Sequence, residues 1–161
     1  MIHSPEYLES KYETRDPWGY RIHPDDIERK RRILAVIEEL VTTHTFQRAL
    51  DIGAGEGWIT AELPAEEIEA IEISDNAASR FPDHVRRVNA PTGHYSLILA
   101  TGILYAHYNV DLFHHWIRRH ASGLVVTCNL ADSEVPLDAE TIYEERFPYR
   151  DRVQHLAVYT P

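Results

Sequence analysis

The chain has 161 residues, 43% of them hydrophobic, and a formal net charge of −10. This composition predicts a folded domain, and no apolar run approaches the roughly 20 residues that span a bilayer. The net charge disfavours a nucleic acid as partner, because binding would bring like charges together. The polar N-terminus lacks the apolar core of a secretion signal, which predicts a cytoplasmic protein.

The first half of the chain predicts a helix followed by a buried strand. Residues 1–23 are expected to be irregular, since proline and glycine interrupt every pattern there. Pro24 then begins a helix over 24–40, because proline suits a first helical turn and Asp25 and Asp26 complement the helix dipole. A short apolar strand follows at 49–52.

The rest of the chain alternates between strands and helices. The predicted elements are a helix at 58–63, a strand at 68–74, a short helix at 76–81, strands at 84–90 and 95–101, a helix at 110–122 closed by Gly123, a strand at 124–130, and two strands within 141–160. This alternation predicts one α/β domain, 1–161, with a Rossmann-like, mostly parallel seven-stranded sheet and helices on both faces. The two adjacent final strands predict a C-terminal antiparallel hairpin.

Two sequence features point to a ligand at the first strand. In "RALDIGAGEGWIT", Gly53, Gly55 and Gly57 alternate directly after the strand, and this costs backbone entropy unless a sharp turn or a ligand requires it. Ligands of open α/β sheets bind at the carboxyl ends of strands where the strand order reverses. Glu72 follows Asp51 by 72 − 51 = 21 residues, and its carboxylate can accept both hydroxyls of a ribose. Together these features indicate a nucleoside-containing cofactor.

Two classes of cofactor compete for this turn. A nicotinamide or flavin dinucleotide favours G-x-G-x-x-G, with its pyrophosphate at a helix N-terminus. Here Trp58 replaces the last glycine, and Glu56 adds a negative charge beside the expected pyrophosphate. S-adenosylmethionine has no phosphate and carries a sulfonium and an ammonium, so it suits an acidic turn better.

The motifs "ALDIGAGEG" and "IEAIEISD" resemble the cofactor motifs of class I S-adenosylmethionine-dependent methyltransferases, and the resemblance covers about residues 10–160. The stretch "YETRDPWGYRIHPDDIERKRRIL" also resembles the N-terminal part of nodulation-type small-molecule N-methyltransferases, in which an Asp-Pro-Trp lies over the cofactor. The resemblance therefore implies that segment 1–23 covers the site.

The resemblance also implies roles for individual residues. The implied cofactor residues are Gly53, Ala54 and Gly55 against the methionine part, Asp51 toward its ammonium, Glu72 on the ribose, Ile73 on the adenine face, Asn89 and Ala90 at the adenine amino group, Thr101 and Gly102 near the sulfur, and Trp18 above the site. Asn89 departs from the aspartate usual in the family, although its side-chain oxygen still accepts a hydrogen bond.

The acceptor is expected beyond the fourth strand, in "TGILYAHYN". His107 and Tyr105 are the catalytic candidates, because a base is needed only if the nucleophile arrives protonated and histidine titrates near neutrality. The family's base-methylating branch carries Asn/Asp-Pro-Pro-aromatic there, and "ATGILY" does not match it. The ten histidines show no metal-ligand spacing, and the basic runs at 28–32, 86–87 and 118–119 are expected to be solvated faces.

The sequence thus predicts methyl transfer to oxygen or nitrogen of a small molecule, such as a sugar or a specialised metabolite. The alternative is a non-catalytic S-adenosylmethionine-binding or regulatory subunit of a larger methyltransferase. The chain has no long lid insertion, so a homo-oligomer or a partner subunit stays open as a way to complete the pocket. A dinucleotide oxidoreductase is the third interpretation, and it predicts tight binding of NAD(P).

Overall fold

The computed structural model describes residues 3–161. The helices in this range are α1 (Pro5–Lys11), α2 (Pro24–Val41), α3 (Asp75–Ala78) and α4 (Val110–His120), with one turn of 3-10 helix at Thr60–Glu62. The strands are β1 (Phe46–Ile52), β2 (Ala65–Ile71), β3 (Val85–Arg87), β4 (Tyr95–Thr101), β5 (Ala121–Leu130), β6 (Glu140–Tyr149) and β7 (Arg152–Thr160). Within the described residues, no helix is both long enough and apolar enough to cross a membrane.

The seven strands form one sheet in the order β3-β2-β1-β4-β5-β7-β6. Strands β1 to β5 pair in parallel, whereas β7 runs antiparallel to both β5 and β6. The Rossmann-like sheet and its C-terminal antiparallel hairpin are therefore confirmed. The chain builds outward from β1 through β2 to β3 and then returns to β4, so the strand order reverses between β1 and β4. This reversal leaves a crevice at their carboxyl ends.

Alternate residues of the central strands face two separate cores. In β4, Leu97 and Leu99 belong to the core that includes Ile33 of α2. Ile98, on the opposite face of the same strand, belongs to the core that includes Ile117 of α4. Helices therefore cover both faces of the sheet, as the period-2 pattern of strands requires.

The N-terminal end of the longest helix, α2, is fixed by a side-chain cap and by a hydrogen bond from β6. His23 caps it, because its Nδ1 accepts the Asp25 N–H at 3.2 Å, and Pro24 occupies the first turn. Asp26 is only 1% exposed, and it accepts a hydrogen bond from the Tyr149 hydroxyl at 2.6 Å. The start of α2 is thereby joined to the end of β6, beside the crevice.

Two local predictions about helices were wrong. The segment 1–23 is not irregular throughout, because Ser4 accepts the Tyr7 N–H and α1 forms behind this cap; Met1 and Ile2 lie outside the described residues. The helix expected at 58–63 is only the single 3-10 turn, and the chain passes directly into β2 at Ala65. The glycine turn is thus not followed by an α-helix.

The prediction for Gly123 was also wrong. It does not cap α4, since that helix ends at His120 and β5 begins at the next residue. Gly123 lies inside β5, where a Cβ would stand 2.2 Å from the Ser96 carbonyl oxygen of β4. Glycine is needed at this position to let the backbones of two neighbouring strands approach.

Candidate functional site

A cavity of about 840 Å³ opens at the carboxyl ends of the parallel strands. Its lining includes the turn after β1, the ends of β2 and β4, the loop after β4, and residues of the N-terminal segment and α2. It occupies the crevice created by the reversal of strand order. Of the thirteen residues singled out from the sequence, twelve line this cavity, and Ala90 is exposed outside it.

The glycine turn presents main chain to the cavity. Gly53 and Gly55 have φ of +75° and +58°, which side-chain-bearing residues rarely adopt. A Cβ on Gly53 would lie 2.4 Å from Ile103 Cγ2, so the turn packs tightly on the loop after β4. A Cβ on Gly55 would stand 3.0 Å from the Tyr12 hydroxyl, inside the cavity. Any side chain at Gly55 would therefore enter the space available to a ligand.

Glu72 joins the end of β2 to the glycine turn. Its two carboxylate oxygens accept the Gly55 N–H at 2.8 Å and the Ser74 N–H at 2.9 Å. Burial raises the pKa of Glu72, and these backbone donors oppose that shift. Each oxygen retains a second lone pair, so the carboxylate can accept further hydrogen bonds from the cavity.

Asp51 has one oxygen without a partner. Its Oδ2 accepts the Thr60 hydroxyl at 2.6 Å, whereas Oδ1 is buried and has no hydrogen-bond partner among residues 3–161. Burial raises the pKa of Asp51 to about 7, although the Thr60 hydrogen bond and the Arg29 charge oppose the shift. An unpaired buried oxygen on a cavity wall suits a ligand that brings a hydrogen-bond donor or a positive charge.

Arg29 is a cavity residue that the sequence analysis missed. Its Nη2 donates to the Cys128 carbonyl at 3.1 Å, and its buried Nε has no partner in the part of the chain that the structure describes. The expectation that the basic run 28–32 forms a solvated face is thus wrong at this position. The signal was present in the sequence, because Arg29 precedes the buried Ile33 and Ile37 at intervals of four and so shares their face of the helix.

The N-terminal segment from His3 to Arg21 contributes to the lining of the cavity and is fixed to the body of the protein. Glu56 accepts the Asp16 N–H at 2.8 Å and pairs with Arg80 at 2.5 Å. Arg80 also donates to the Tyr12 carbonyl at 2.7 Å. Trp18 lies beside them and donates from Nε1 to the Tyr12 hydroxyl at 3.4 Å. Glu56 therefore anchors the N-terminal segment to the glycine turn. Its negative charge is balanced by the guanidinium of Arg80.

The residues expected to contact adenine and sulfur lie at opposite parts of the lining. Ile73 and Asn89 follow β2 and β3, and Ile73 is 54% exposed. Thr101 and Gly102 end β4, where the Gly102 N–H is held by the Asn129 side-chain oxygen at 2.9 Å. The cavity therefore runs across the ends of the strands from β3 to β4 and beyond.

Aromatic rings form the wall after β4. The His107 ring stacks on the Tyr105 ring, with their centroids 5.3 Å apart. The centroid of the Tyr108 ring lies 4.5 Å from that of His107. Burial, with the nearby His3, lowers the pKa of His107. The neutral imidazole that this favours at pH 7 can accept a proton. The Tyr105 hydroxyl accepts the Leu130 N–H at 2.8 Å, which fixes that ring against the end of β5.

The described residues contain no group of three or more His, Cys, Asp and Glu side chains arranged to hold a metal ion. The sequence matches no protein-family model, and no curated protein is similar to it in sequence.

Solved structures nevertheless share the fold. N-methyltransferase NodS from Bradyrhizobium japonicum WM9, in complex with S-adenosyl-L-homocysteine, superimposes with a TM-score of 0.77 over 96% of each chain at 16% identity. Magnesium protoporphyrin IX methyltransferase (ChlM) from Synechocystis PCC 6803, with bound S-adenosylmethionine, gives a TM-score of 0.69 over 96% of this chain and 95% of that one, at 9% identity.

The plantazolicin methyltransferase BpumL, in complex with a monoazolic analogue and S-adenosylhomocysteine, gives a TM-score of 0.54 at 18% identity. That match covers 78% of this chain and 58% of BpumL. The chain thus has the fold of class I S-adenosylmethionine-dependent methyltransferases. In particular, it resembles NodS along nearly its whole length.

Proposed function

We propose that this protein binds S-adenosylmethionine and transfers its methyl group to oxygen or nitrogen of a small molecule. The observation that carries the proposal is the unpaired, buried Oδ1 of Asp51 beside the main chain of the glycine turn. A cofactor with an ammonium group provides the missing donor. The fold shared with NodS and ChlM, which hold S-adenosyl compounds, supports the same assignment.

The proposed cofactor position uses residues at the ends of three strands, β1, β2 and β3. Asp51 receives the ammonium, and the main chain at 53–55 lies against the methionine part. Glu72 receives the ribose hydroxyls on its remaining lone pairs, while Ile73 and Asn89 flank the adenine. A dinucleotide fits less well, because the glycine turn is not followed by an α-helix whose N-terminus would bind a pyrophosphate.

The cavity has room for an acceptor beside this cofactor. Its volume of about 840 Å³ lies in the upper part of the range for small-molecule sites, roughly 300–1,000 Å³. The bound cofactor would supply a methyl group activated by a sulfonium. The protein then has to align the nucleophile with that methyl and exclude water.

The surrounding residues are suited to these two tasks. The N-terminal segment, which lines the cavity, excludes water from the bound cofactor. His107, held neutral on the aromatic wall, takes the proton of a protonated nucleophile. Tyr105, whose hydroxyl is already fixed by the Leu130 N–H, orients the histidine ring by stacking.

The cofactor assignment is tested by calorimetric titration with S-adenosylhomocysteine. The wild type is expected to bind it, and Gly55→Val to lose binding because the new side chain fills the ligand space. Glu72→Ala should weaken binding by roughly 1–3 kcal/mol through lost charged hydrogen bonds. Glu66→Ala, which alters an exposed glutamate on the same strand, is the matched control and should bind like the wild type.

Affinity that is unchanged in both site variants, or NAD(P) binding in place of S-adenosylhomocysteine, would contradict the assignment. Catalysis is tested separately, by incubating the protein with methyl-labelled cofactor and a cell extract. Labelled small products support an enzyme. Their absence, with cofactor binding intact, supports the non-catalytic binding protein instead.

A further inference from the structure

Aromatic residues line the end of the cavity that lies beyond the proposed position of the sulfur. We name these four residues the aromatic arm: Trp18 and Tyr20 of the N-terminal segment, Tyr105 after β4, and Tyr149 at the end of β6. Burial raises the pKa of the three tyrosines, and the nearby charge of Arg29 opposes the rise in each. The Nη2 of Arg29 would stand 3.5 Å from a Cβ on Gly102. The arm therefore adjoins the end of β4, where the transferred methyl group is expected.

The rings of the arm are fixed by hydrogen bonds more than by contact with one another. Trp18 donates from Nε1 to the Tyr12 hydroxyl at 3.4 Å, and the Tyr149 hydroxyl donates to Asp26 at 2.6 Å. Among residues 3–161, no pair of stacked or tilted rings includes Trp18, Tyr149 or Tyr20. Three rings of the arm thus have no aromatic partner in the protein.

Cations cover these rings only in part. Lys11 Nζ lies 5.9 Å from the centroid of Trp18, and the Arg150 guanidinium lies 5.5 Å from that of Tyr149. Each cation occupies one face of its ring, and a ring has two faces. Aromatic rings stack on other rings with a gain beyond their area burial, and rings that are already fixed lose little freedom when a ligand binds.

The polar groups around the arm are few and mostly engaged. Arg150 pairs with Asp26 at 2.8 Å. Gln154 uses its Oε1 for the Cys128 thiol at 3.4 Å, and within residues 3–161 its amide nitrogen has no acceptor, so it can donate to one ligand oxygen. A sugar carries many hydroxyls, and burying them without partners is costly. The arm is therefore suited to a ligand with an apolar ring and a single polar substituent.

A second cavity of about 280 Å³ extends the arm toward the hairpin turn at 150–152. It shares four lining residues with the larger cavity, namely Trp18, Tyr20, Leu130 and Tyr149. Arg152 lines this outer part, and its charge is paired with Asp132. A ligand longer than one ring can thus continue past the arm.

We infer that the aromatic arm binds the methyl acceptor and that this acceptor is a flat aromatic ring bearing a hydroxyl or amino group. The inference rests on the proposed function for the methyl donor. The oxygen or nitrogen on the ring attacks the methyl carbon, and the new bond forms as the carbon–sulfur bond breaks. The electron pair of the broken bond stays on sulfur, which leaves as the thioether of S-adenosylhomocysteine. The proton of the acceptor passes to His107.

The first experiment titrates probes calorimetrically into protein saturated with S-adenosylhomocysteine. Phenol, 2-naphthol and indole are the aromatic probes, and glucosamine is the sugar. The wild type is expected to bind at least one aromatic probe and not glucosamine. Tyr20→Leu and Trp18→Leu should weaken that binding by about fivefold, because each variant removes a ring face. Tyr20→Phe, which keeps the ring, should bind like the wild type.

Two controls separate the arm from the rest of the protein. Tyr143→Leu alters a tyrosine of β6 that does not line the cavity, and it should leave every affinity unchanged. Tyr20 is 38% exposed, so Tyr20→Leu spares the core and should keep its affinity for S-adenosylhomocysteine.

Three outcomes of the titrations overturn the inference. The first is binding of glucosamine in preference to the rings. The second is aromatic binding that survives undiminished in both leucine variants. The third is a wild type that binds S-adenosylhomocysteine and none of the aromatic probes. Failure of the wild type to bind S-adenosylhomocysteine would instead overturn the proposed function.

The natural acceptor provides an independent test of its chemical class. The protein is incubated with methyl-labelled cofactor and a cell extract, and the labelled product is isolated by liquid chromatography. The product should absorb in the near ultraviolet, as an aromatic ring does, and Tyr20→Leu should form it more slowly than Tyr143→Leu. A labelled product without this absorbance would contradict an aromatic acceptor and leave methyl transfer intact.

Discussion

At the scale of single residues, the cavity holds buried polar groups that do not stabilise the protein by themselves. Asp51 keeps one unpaired oxygen, and Arg29 keeps an unpaired Nε. Each costs free energy in the ligand-free protein. Such groups concentrate at binding sites, where a ligand supplies the missing partner.

Asp51 makes the stability of the ligand-free protein depend on pH. Its pKa is about 7 in the folded protein, well above its ordinary value of 3.8, chiefly because of burial. Between these two values the unfolded chain has released the proton and the folded protein still holds it. The contribution of Asp51 to the free energy of unfolding is therefore fully present below about pH 4 and is lost as the pH rises to about 7.

Asp51→Asn removes this titration and keeps an oxygen for the Thr60 hydroxyl. The variant is expected to gain stability relative to the wild type from pH 4.5 to pH 7.5, by on the order of 4 kcal/mol at most. Urea denaturation at both pH values measures the difference. Asp83→Asn, at an exposed aspartate, should show no such trend, and a pH-independent difference for Asp51→Asn would contradict the prediction.

At the scale of elements, the part of the N-terminal segment that lines the cavity depends on few fixed points. The segment after α1 is held mainly by Arg80, which reaches both the Tyr12 carbonyl and Glu56. The Glu56 carboxylate in turn accepts the Asp16 N–H. Arg80 and Glu56 together thus connect residues 12–21 to the glycine turn, where Arg21 also pairs with Glu56 at 3.8 Å.

Arg80→Ala should therefore loosen residues 12–21 without unfolding the sheet. Hydrogen exchange of amides in this segment is expected to accelerate by about tenfold, which corresponds to about 1.4 kcal/mol. Affinity for S-adenosylhomocysteine should fall in the same variant. Arg119→Ala, at an exposed arginine of α4, is the control; equal exchange rates in the two variants would show that Arg80 is not the anchor.

At the scale of the whole molecule, the sheet topology creates the crevice and also ties the two ends of the chain together. β7 lies between β5 and β6, and the start of α2 is bonded to the end of β6 through Asp26 and Tyr149. The C-terminal hairpin thus extends the same sheet that carries the candidate site.

This connectivity predicts that residues 1–161 unfold as one domain. Urea transitions followed by far-ultraviolet circular dichroism and by tryptophan fluorescence should coincide, as two-state unfolding requires. All three tryptophans line the cavity, Trp116 from α4, so their fluorescence reports on the site whereas circular dichroism reports on the whole sheet and its helices. Two separated transitions would indicate two independently folding units.

Local patterns predicted most of the fold and the outline of the site. Alternating and continuous apolar runs predicted the strands, because side chains along a strand alternate between two faces. Gly53, Gly55 and Glu72 were identified as site residues from the sequence. The glycines directly follow the first predicted strand, and the glutamate lies in the second, 21 residues after Asp51. Their placement on the cavity follows from the order of the strands.

The tertiary structure decided what depends on contacts between distant parts of the chain. Arg29 reaches the carbonyl of Cys128, 99 residues away, and Gly123 is required by the backbone of Ser96. No local pattern shows which arginine of a basic run lacks a carboxylate, or which strands approach too closely for a Cβ. The sequence alone therefore determined the strands, the helices α2, α3 and α4 and the glycine turn, because those follow from local patterns, whereas it missed α1. Packing between distant residues determined which charges remain unpaired inside the cavity.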